Sequence, residues 1–190
     1  GAVAAEGVAG GFASLYKVLT TMEEAGRCQR GYFVESLGGA QFATASTVDR
    51  LRTHADSIDD KQGALRALAL AATDPANPFG AALPWPARGS ETDTAHRPGR
   101  KAGALVVLVD GALAWFLERG GRSLLSFTAD AETHNAAAAA LAELVTRQRV
   151  PALLVERVDG VAVLEDRDSM VATALTQAGF ARTPRGLRLR

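Results

Sequence analysis

Residues 104–127, ALVVLVDGALAWFLERGGRSLLSF, constrain the fold of this chain more than any other stretch. Three short apolar runs are interrupted by Asp110-Gly111 and by Gly120-Gly121. Both pairs favour tight hairpin turns. The spacing predicts a three-stranded antiparallel meander. Val109 faces Ala112 and Val106 faces Trp115 across the first turn, and Glu118 faces Ser123 across the second. Strands this apolar need cover, so the meander is expected to form part of the main core.

The chain upstream of it divides in two. Residues 1–11 are small and mostly apolar, with a short helix expected over 2–6 and a stop at Gly10-Gly11. Phe12, Leu15, Tyr16, Leu19 and Met22 then recur at helical spacing, and Gly26 ends the helix. Residues 27–34 have strand character, Leu37-Gly38-Gly39 reads as a turn, and residues 41–43 as the returning strand. Helix, turn, helix and a two-stranded ribbon is the order of a winged helix. The 12–25 helix holds the recognition position, with Lys17, Thr20 and Thr21 near its polar face. Glu23 and Glu24 oppose phosphate contact at its end, and a purely structural winged helix satisfies the same pattern. Ser46 is expected to cap a short helix over 47–54, and residues 55–62 are polar and acidic. The expected division is a winged-helix domain at 1–58 and a second domain at 59–190.

In the second domain, residues 65–71 are ambiguous between helix and strand. Residues 74–80, DPANPFG, form a rigid turn because each proline restricts itself and its predecessor. Residues 83–86 continue as an ordered loop, and 88–99 are polar and a candidate for disorder. After the meander, residues 131–147 have strong helix propensity, with Ala137, Leu141, Leu144 and Val145 as the buried stripe. A fourth strand is expected over 152–158, an Asp159-Gly160 turn, and a return over 161–164. A last helix starts at Asp168 or Ser169 and stops at Gly179. Short strands at 180–182 and 187–190 flank residues 183–186.

Charge decides little by itself. There are 21 basic and 21 acidic side chains, so net charge points to no nucleic-acid partner. The distribution is uneven: residues 96–190 hold 13 basic and 10 acidic groups, and four arginines but no acid follow Asp168. A basic face matters more than an overall pI. The lone Cys28 excludes an internal disulfide and suits a reducing compartment. No signal peptide is visible, and the Ala-rich run is too short and interrupted to span a membrane.

The chemistry-bearing motifs are few. There is no Walker A sequence, dinucleotide fingerprint or G-x-S-x-G elbow. His54, His96 and His134 are scattered and one cysteine completes no zinc site, so no metal is expected. Asp110 and Asp159 are weak candidates for catalytic carboxylates, since each precedes Gly at a turn that explains it. Arg119 and Arg122 flank Gly120-Gly121 and are placed to hold a phosphate. Tyr32 beside Arg27 and Arg30, and Trp85 near Arg88, are candidates for stacking on unpaired bases. Phe33, Phe42, Trp115 and Phe116 are expected to be buried.

Residues 15–43, LYKVLTTMEEAGRCQRGYFVESLGGAQFA, resemble the C-terminal region of bacterial large helicase-related (Lhr) proteins. The resemblance continues through VDRLR at 48–52, LAATDPANPFGAALPWP at 70–86, residues 97–127, and TPRGLRLR at 183–190. It implies a large parent protein whose N-terminal motor is an ATP- and Mg-dependent helicase moving 3′ to 5′ on single-stranded DNA. It also implies a C-terminal region of winged helices and a β-barrel-like module, similar to AlkZ-type DNA glycosylases. The first helix of the winged helix then lies upstream of this chain. The expected fold is α+β: a partial winged helix followed by a β-barrel-like antiparallel sheet module with packed helices. The paired-glutamine element of the related glycosylases has no match, because Gln41, Gln62, Gln148 and Gln177 are isolated, and no catalytic Asp follows Asp168.

Three functions are compatible with these features. The first is a non-catalytic DNA-binding or assembly module of a cytoplasmic repair helicase. It has no cofactor of its own and binds single-stranded or partly unwound DNA. Its DNA-facing candidates are Lys17, Arg27, Arg30, Arg50, Arg52, Arg119, Arg122, Arg182, Arg185 and Arg188. The second is a contribution to a uracil-DNA glycosylase-like site completed by upstream domains. The third is a structural module that forms homo-oligomers.

Overall fold

The computed structural model describes residues 3, 6–35, 37–59, 63–88, 97–166 and 168–190. Residues 2, 4 and 5 of the helix expected over 2–6, and residues 89–96 of the polar stretch 88–99, lie outside them. The chain forms two compact units, Gly1–Ala64 with Ala81–Pro84, and Leu65–Gly80 with Trp85–Arg190.

The first unit is built from helix α1 (Gly11–Glu24), strands β1 (Gln29–Gly31) and β2 (Gln41–Ala43), and helix α2 (Ala45–Asp59). β1 and β2 pair antiparallel with Gln29 opposite Ala43. The Gln41 amide holds the ribbon tip closed. Its oxygen accepts from the Phe33 and Val34 N–H groups at 3.0 and 2.8 Å, and its nitrogen donates to the Val34 and Gly38 carbonyls. Tyr16 packs edge-on against Phe12 and Phe42. Cys28 is buried, its thiol reaching the Leu19 carbonyl. α2 begins earlier and runs five residues further than the expected 47–54. Thr44, not Ser46, organises its start, contacting the Ser46 and Thr47 hydroxyls and accepting from the Thr47 N–H. Such a hydroxyl satisfies an N–H that the first helical turn leaves unpaired.

The second unit contains strands β3 (Ala67–Ala71), β4 (Leu105–Val109), β5 (Ala112–Leu117), β6 (Ser123–Ser126), β7 (Leu153–Val155), β8 (Arg157–Val158), β9 (Val161–Ala162), β10 (Ala181–Thr183) and β11 (Gly186–Leu189). Helices α3 (Ala131–Thr146) and α4 (Met170–Gln177) complete it. The ambiguous stretch at 65–71 is thus a strand. One sheet has the order β3-β4-β5-β6-β8-β9 and the other β10-β11-β7.

The expected barrel is not there: both sheets are open. Closing a sheet needs strands long enough to tilt and stagger into a ring. Here the expected 152–158 strand breaks at Glu156. Leu153–Val155 joins β11, while Arg157–Val158 pairs with β6, in parallel. The Arg122 carbonyl accepts from both the Glu156 and Arg157 N–H groups, which turns the chain between the two sheets.

The meander forms with one shift. Asp110 and Gly111 both take positive φ, at 47° and 83°, as a two-residue hairpin with Val109 opposite Ala112 requires. A bulge between Val107 and Leu108 then inserts Ala114, so Val106 faces Phe116 and Trp115 faces Val107. Both faces are buried, which is why the strands read as continuous apolar runs. Val107, Trp115, Leu117 and Leu124 lie in one core with Ala137, Leu141 and Leu175 of the helices. Val106, Leu113, Phe116 and Leu125 lie in another with Phe79 and Trp85.

Local caps fix the helices that cover the first face. Asp130 accepts from the Thr133 N–H and hydroxyl at 2.8 and 2.7 Å to start α3. These hydrogen bonds hold its carboxyl below its ordinary range. Ser169, rather than Asp168, caps α4 by accepting from the Ala172 N–H.

Candidate nucleic-acid interface

Basic side chains reach the surface of each unit in different chemical settings. Lys17, Arg27 and Arg50 are exposed. Arg52 is exposed too and pairs with Asp49 one turn away. Arg30 is committed to its own unit. Its guanidinium meets Glu23 at 2.6 Å and the Tyr16 hydroxyl at 3.0 Å. It also lies 5.5 and 5.2 Å from the Tyr16 and Phe42 ring centres. The Glu23 hydrogen bond raises its pKa above the ordinary arginine value. Arg30 therefore ties α1 to the ribbon. Tyr32, on the same ribbon, is 65% exposed and presents its ring to solvent.

In the second unit, two of the sequence candidates converge. Arg185 donates to Glu156 at 2.9 Å, and the Arg122 Nε lies 3.9 Å from the same carboxylate oxygen. Backbone contacts set both arginines. The Arg122 carbonyl accepts from Glu156 and Arg157. Gly186, next to Arg185, sits at a φ of 147° against the Val155 carbonyl, where a β-carbon would collide. The two arginine side chains are 63% and 64% exposed, against 27% for Glu156. Surface ion pairs of this kind add roughly 0–1 kcal/mol each, so their consequence here is position rather than stability. A guanidinium has about five N–H donors, and the Arg185 hydrogen bond to Glu156 uses one nitrogen of its fork. The result is a net-positive surface with outward donors of the kind that recognises phosphate. Arg157 stands beside it, bonded to the Gly160 carbonyl at 3.0 Å.

The other candidates are placed apart. The stem of Arg119 runs over Gly103 rather than facing Arg122. Arg182 lines a shallow cavity of about 300 Å³ with Asp166, Thr173 and Gln177. Arg188 lies on β11 opposite Leu154. The Trp85 ring stacks on Phe79 and meets Phe116 edge-on, so it is packed into the second core.

Both candidate carboxylates are tied into backbone. Asp110 accepts from the Arg66 N–H at 3.0 Å, and its own N–H donates to the Arg66 carbonyl, extending the β3–β4 ladder. Asp159 accepts from Arg88 at 2.6 Å and from the Ser126 N–H at 2.9 Å. Among the described residues no three His, Cys, Asp or Glu side chains gather as a metal site, and no helix is long and apolar enough to cross a membrane.

Comparison with known proteins bears on which surface matters. Residues 1–63 match a family described as "Large helicase-related protein, winged-helix domain". The whole chain aligns at 68% identity with 13% of a Mycolicibacterium smegmatis protein named "Lhr helicase/ probable uracil glycosylase". The chain matches the C-terminal region of the bacterial Lhr family. An Escherichia coli K12 protein, "Lhr helicase/uracil glycosylase", is 40% identical over 98% of the chain and 12% of its own length. The chain thus spans about an eighth of the length of these Lhr relatives.

Sequence reading singled out Arg122 and Arg185 but not Glu156, which orients them. No motif marks Glu156, because its partners lie 34 positions before it and 29 after it. His134 was likewise read only as an isolated histidine. It is 2% exposed, and its Nδ1 accepts from the Trp115 indole N–H at 3.0 Å.

Proposed function

We propose that this chain is a DNA-contacting or assembly module of a DNA-repair helicase, without motor activity of its own. The convergence of Arg122 and Arg185 on Glu156 carries this reading, because it holds two exposed guanidiniums where neighbouring phosphates can meet both. Lys17, Arg27, Arg50 and Arg52 would supply further phosphate contacts, with Tyr32 stacking on an unpaired base. The winged-helix domain spans 1–58 in this reading and the α+β domain 59–190. The full-length protein acts in the bacterial cytoplasm on single-stranded or partly unwound DNA, and its motor domains use ATP and Mg. Titration of the 190-residue chain with single-stranded, duplex and uracil-containing DNA at two salt concentrations tests it. Binding that weakens steeply with salt supports the reading, and absent or salt-insensitive binding refutes it.

The names of the two relatives favour a second reading, a contribution to uracil excision at a site completed by upstream domains. Here the test is excision by the longer protein carrying Asp110→Asn or Asp159→Asn. Unchanged excision in correctly folded variants removes both carboxylates from consideration.

A further inference from the structure

The larger sheet of the second unit ends on an unpaired strand, because β3 bonds only to β4. The Arg66 carbonyl accepts from the Asp110 N–H, and the Ala72 N–H donates to the Ala104 carbonyl. The even-numbered residues of this stretch thus turn their backbone groups toward β4. By the alternation of an antiparallel ladder, the N–H and C=O groups of Ala67 and Ala69 point away from the sheet. Among the described residues no hydrogen bond reaches them. Proteins ordinarily guard such an edge with proline, charge or a bulge. Residues 67–72, ALALAA, contain no proline and no charge, and the β3–β4 register runs without a shift. Leu68 on this strand is 53% exposed. Beside the edge lies a cleft of about 720 Å³. Its lining includes Leu65 and Ala67, Ala136, Ala139 and Ala140 of α3, and Gly179 after α4.

The edge itself specifies the chemistry of its occupant. A row of alternating N–H and C=O groups is matched by another extended backbone, and strand addition to a sheet edge is a recurring mode of peptide recognition. We propose that β3 takes up an extended segment of a partner protein as an added antiparallel strand, with alternate side chains entering the α3 cleft. The cleft is lined mostly by small apolar side chains, so the segment carries large apolar residues at every second position. Charge sets its direction. Arg66 stands at the start of β3 and Asp74 just beyond its end. An antiparallel segment with a basic residue at its start and an acidic one at its end brings opposite charges together at both positions. A parallel one would bring like charges together. This proposal is independent of the arginine surface and of DNA binding.

The test uses a fluorescein-labelled peptide, Lys-Thr-Phe-Thr-Phe-Thr-Glu, titrated against the 190-residue chain by fluorescence anisotropy. Amide hydrogen exchange is followed in parallel by NMR. Saturable binding is expected, and the Ala67 and Ala69 N–H groups, fast to exchange in the free chain, should become protected. Ala69→Pro should weaken binding about tenfold or more, because it removes an edge donor. Proline is tolerated where the N–H of an edge strand faces outward, so this variant should fold, and circular dichroism checks that. Ala139→Glu charges the cleft from the exposed side of α3 and should weaken binding by a similar factor. It leaves the β3 backbone untouched, so the test stays decisive without the proline variant. Val18→Ser removes an exposed apolar side chain from the other unit and should bind as the parent does. Three results overturn the proposal. The first is no saturable binding, and the second is binding unchanged in the folded edge and cleft variants. The third is protection of the Ala67 and Ala69 N–H groups before peptide is added. Protection that grows with chain concentration would give the edge to a second copy instead.

Discussion

His134 makes the stability of the second unit pH-dependent in a direction that can be worked out. Its imidazole is 2% exposed, and its Nδ1 accepts the Trp115 N–H, which requires that nitrogen to be unprotonated. Burial lowers its pKa, and the negative charges of Asp130 and Asp159 only partly oppose this. The unfolded chain takes up a proton near pH ~6.5, while the native state resists it. Stability from this group is therefore full above ~6.5 and is lost as pH falls below it. At pH ~5.5 the loss has an upper limit of RT ln(1 + 10), about 1.4 kcal/mol, reached by an imidazole that stays wholly neutral in the native state. Urea unfolding followed by tryptophan fluorescence reads this unit alone, because both tryptophans, Trp85 and Trp115, lie in it. The reference is His134→Asn, which keeps an acceptor near Nδ1 but does not titrate. Between pH ~7.5 and ~5.5 the parent should lose more stability than the variant, by up to about 1.4 kcal/mol, at constant m-value. Equal losses in the two proteins would refute the argument from a buried neutral imidazole.

Two further substitutions probe the same unit. Gly186→Ala should destabilise it by about 2–6 kcal/mol, from backbone strain and overpacking together. The new β-carbon meets Val155 and Glu156 backbone, which has no flexible end to move, and a lowered urea midpoint is the readout. Asn77→Ala should cost about 1–3 kcal/mol, because the 1% exposed amide bonds the Ala72 and Phe79 carbonyls and the Phe79 N–H. A red shift of tryptophan emission would report loosening of the Phe79–Trp85 stack.

What could be read from the sequence was set by how far each interaction reaches along the chain. The Asp110-Gly111 turn, the Asp159-Gly160 turn and the end of the last helix at Gly179 depend on residues within a few positions, and turn chemistry revealed them. The bulge at Ala114 did not show, because it depends on how Trp115 and Phe116 distribute between two cores. The break at Glu156 was equally hidden. Residues 152–158 read as one strand until Arg122 and β11 pull its halves into separate sheets, and that break accompanies the open sheets found in place of the expected barrel. The arginines were visible as residues, and their grouping was not. Arg30 and Arg185 look alike in sequence, yet one is held against Glu23 and two rings while the other stands out from Glu156.

The most direct measurement of the central claim is the salt dependence of single-stranded DNA binding by the parent chain and by the Arg122→Gln/Arg185→Gln double variant. Two lost phosphate contacts predict a log–log slope shallower by about 1.4, since each contributes roughly 0.7 on a single strand. Affinity should be lower at every salt concentration at which binding is measured, with folding unchanged. A double variant that binds DNA with the parent's affinity and slope would contradict the account and remove the Glu156 surface from DNA binding.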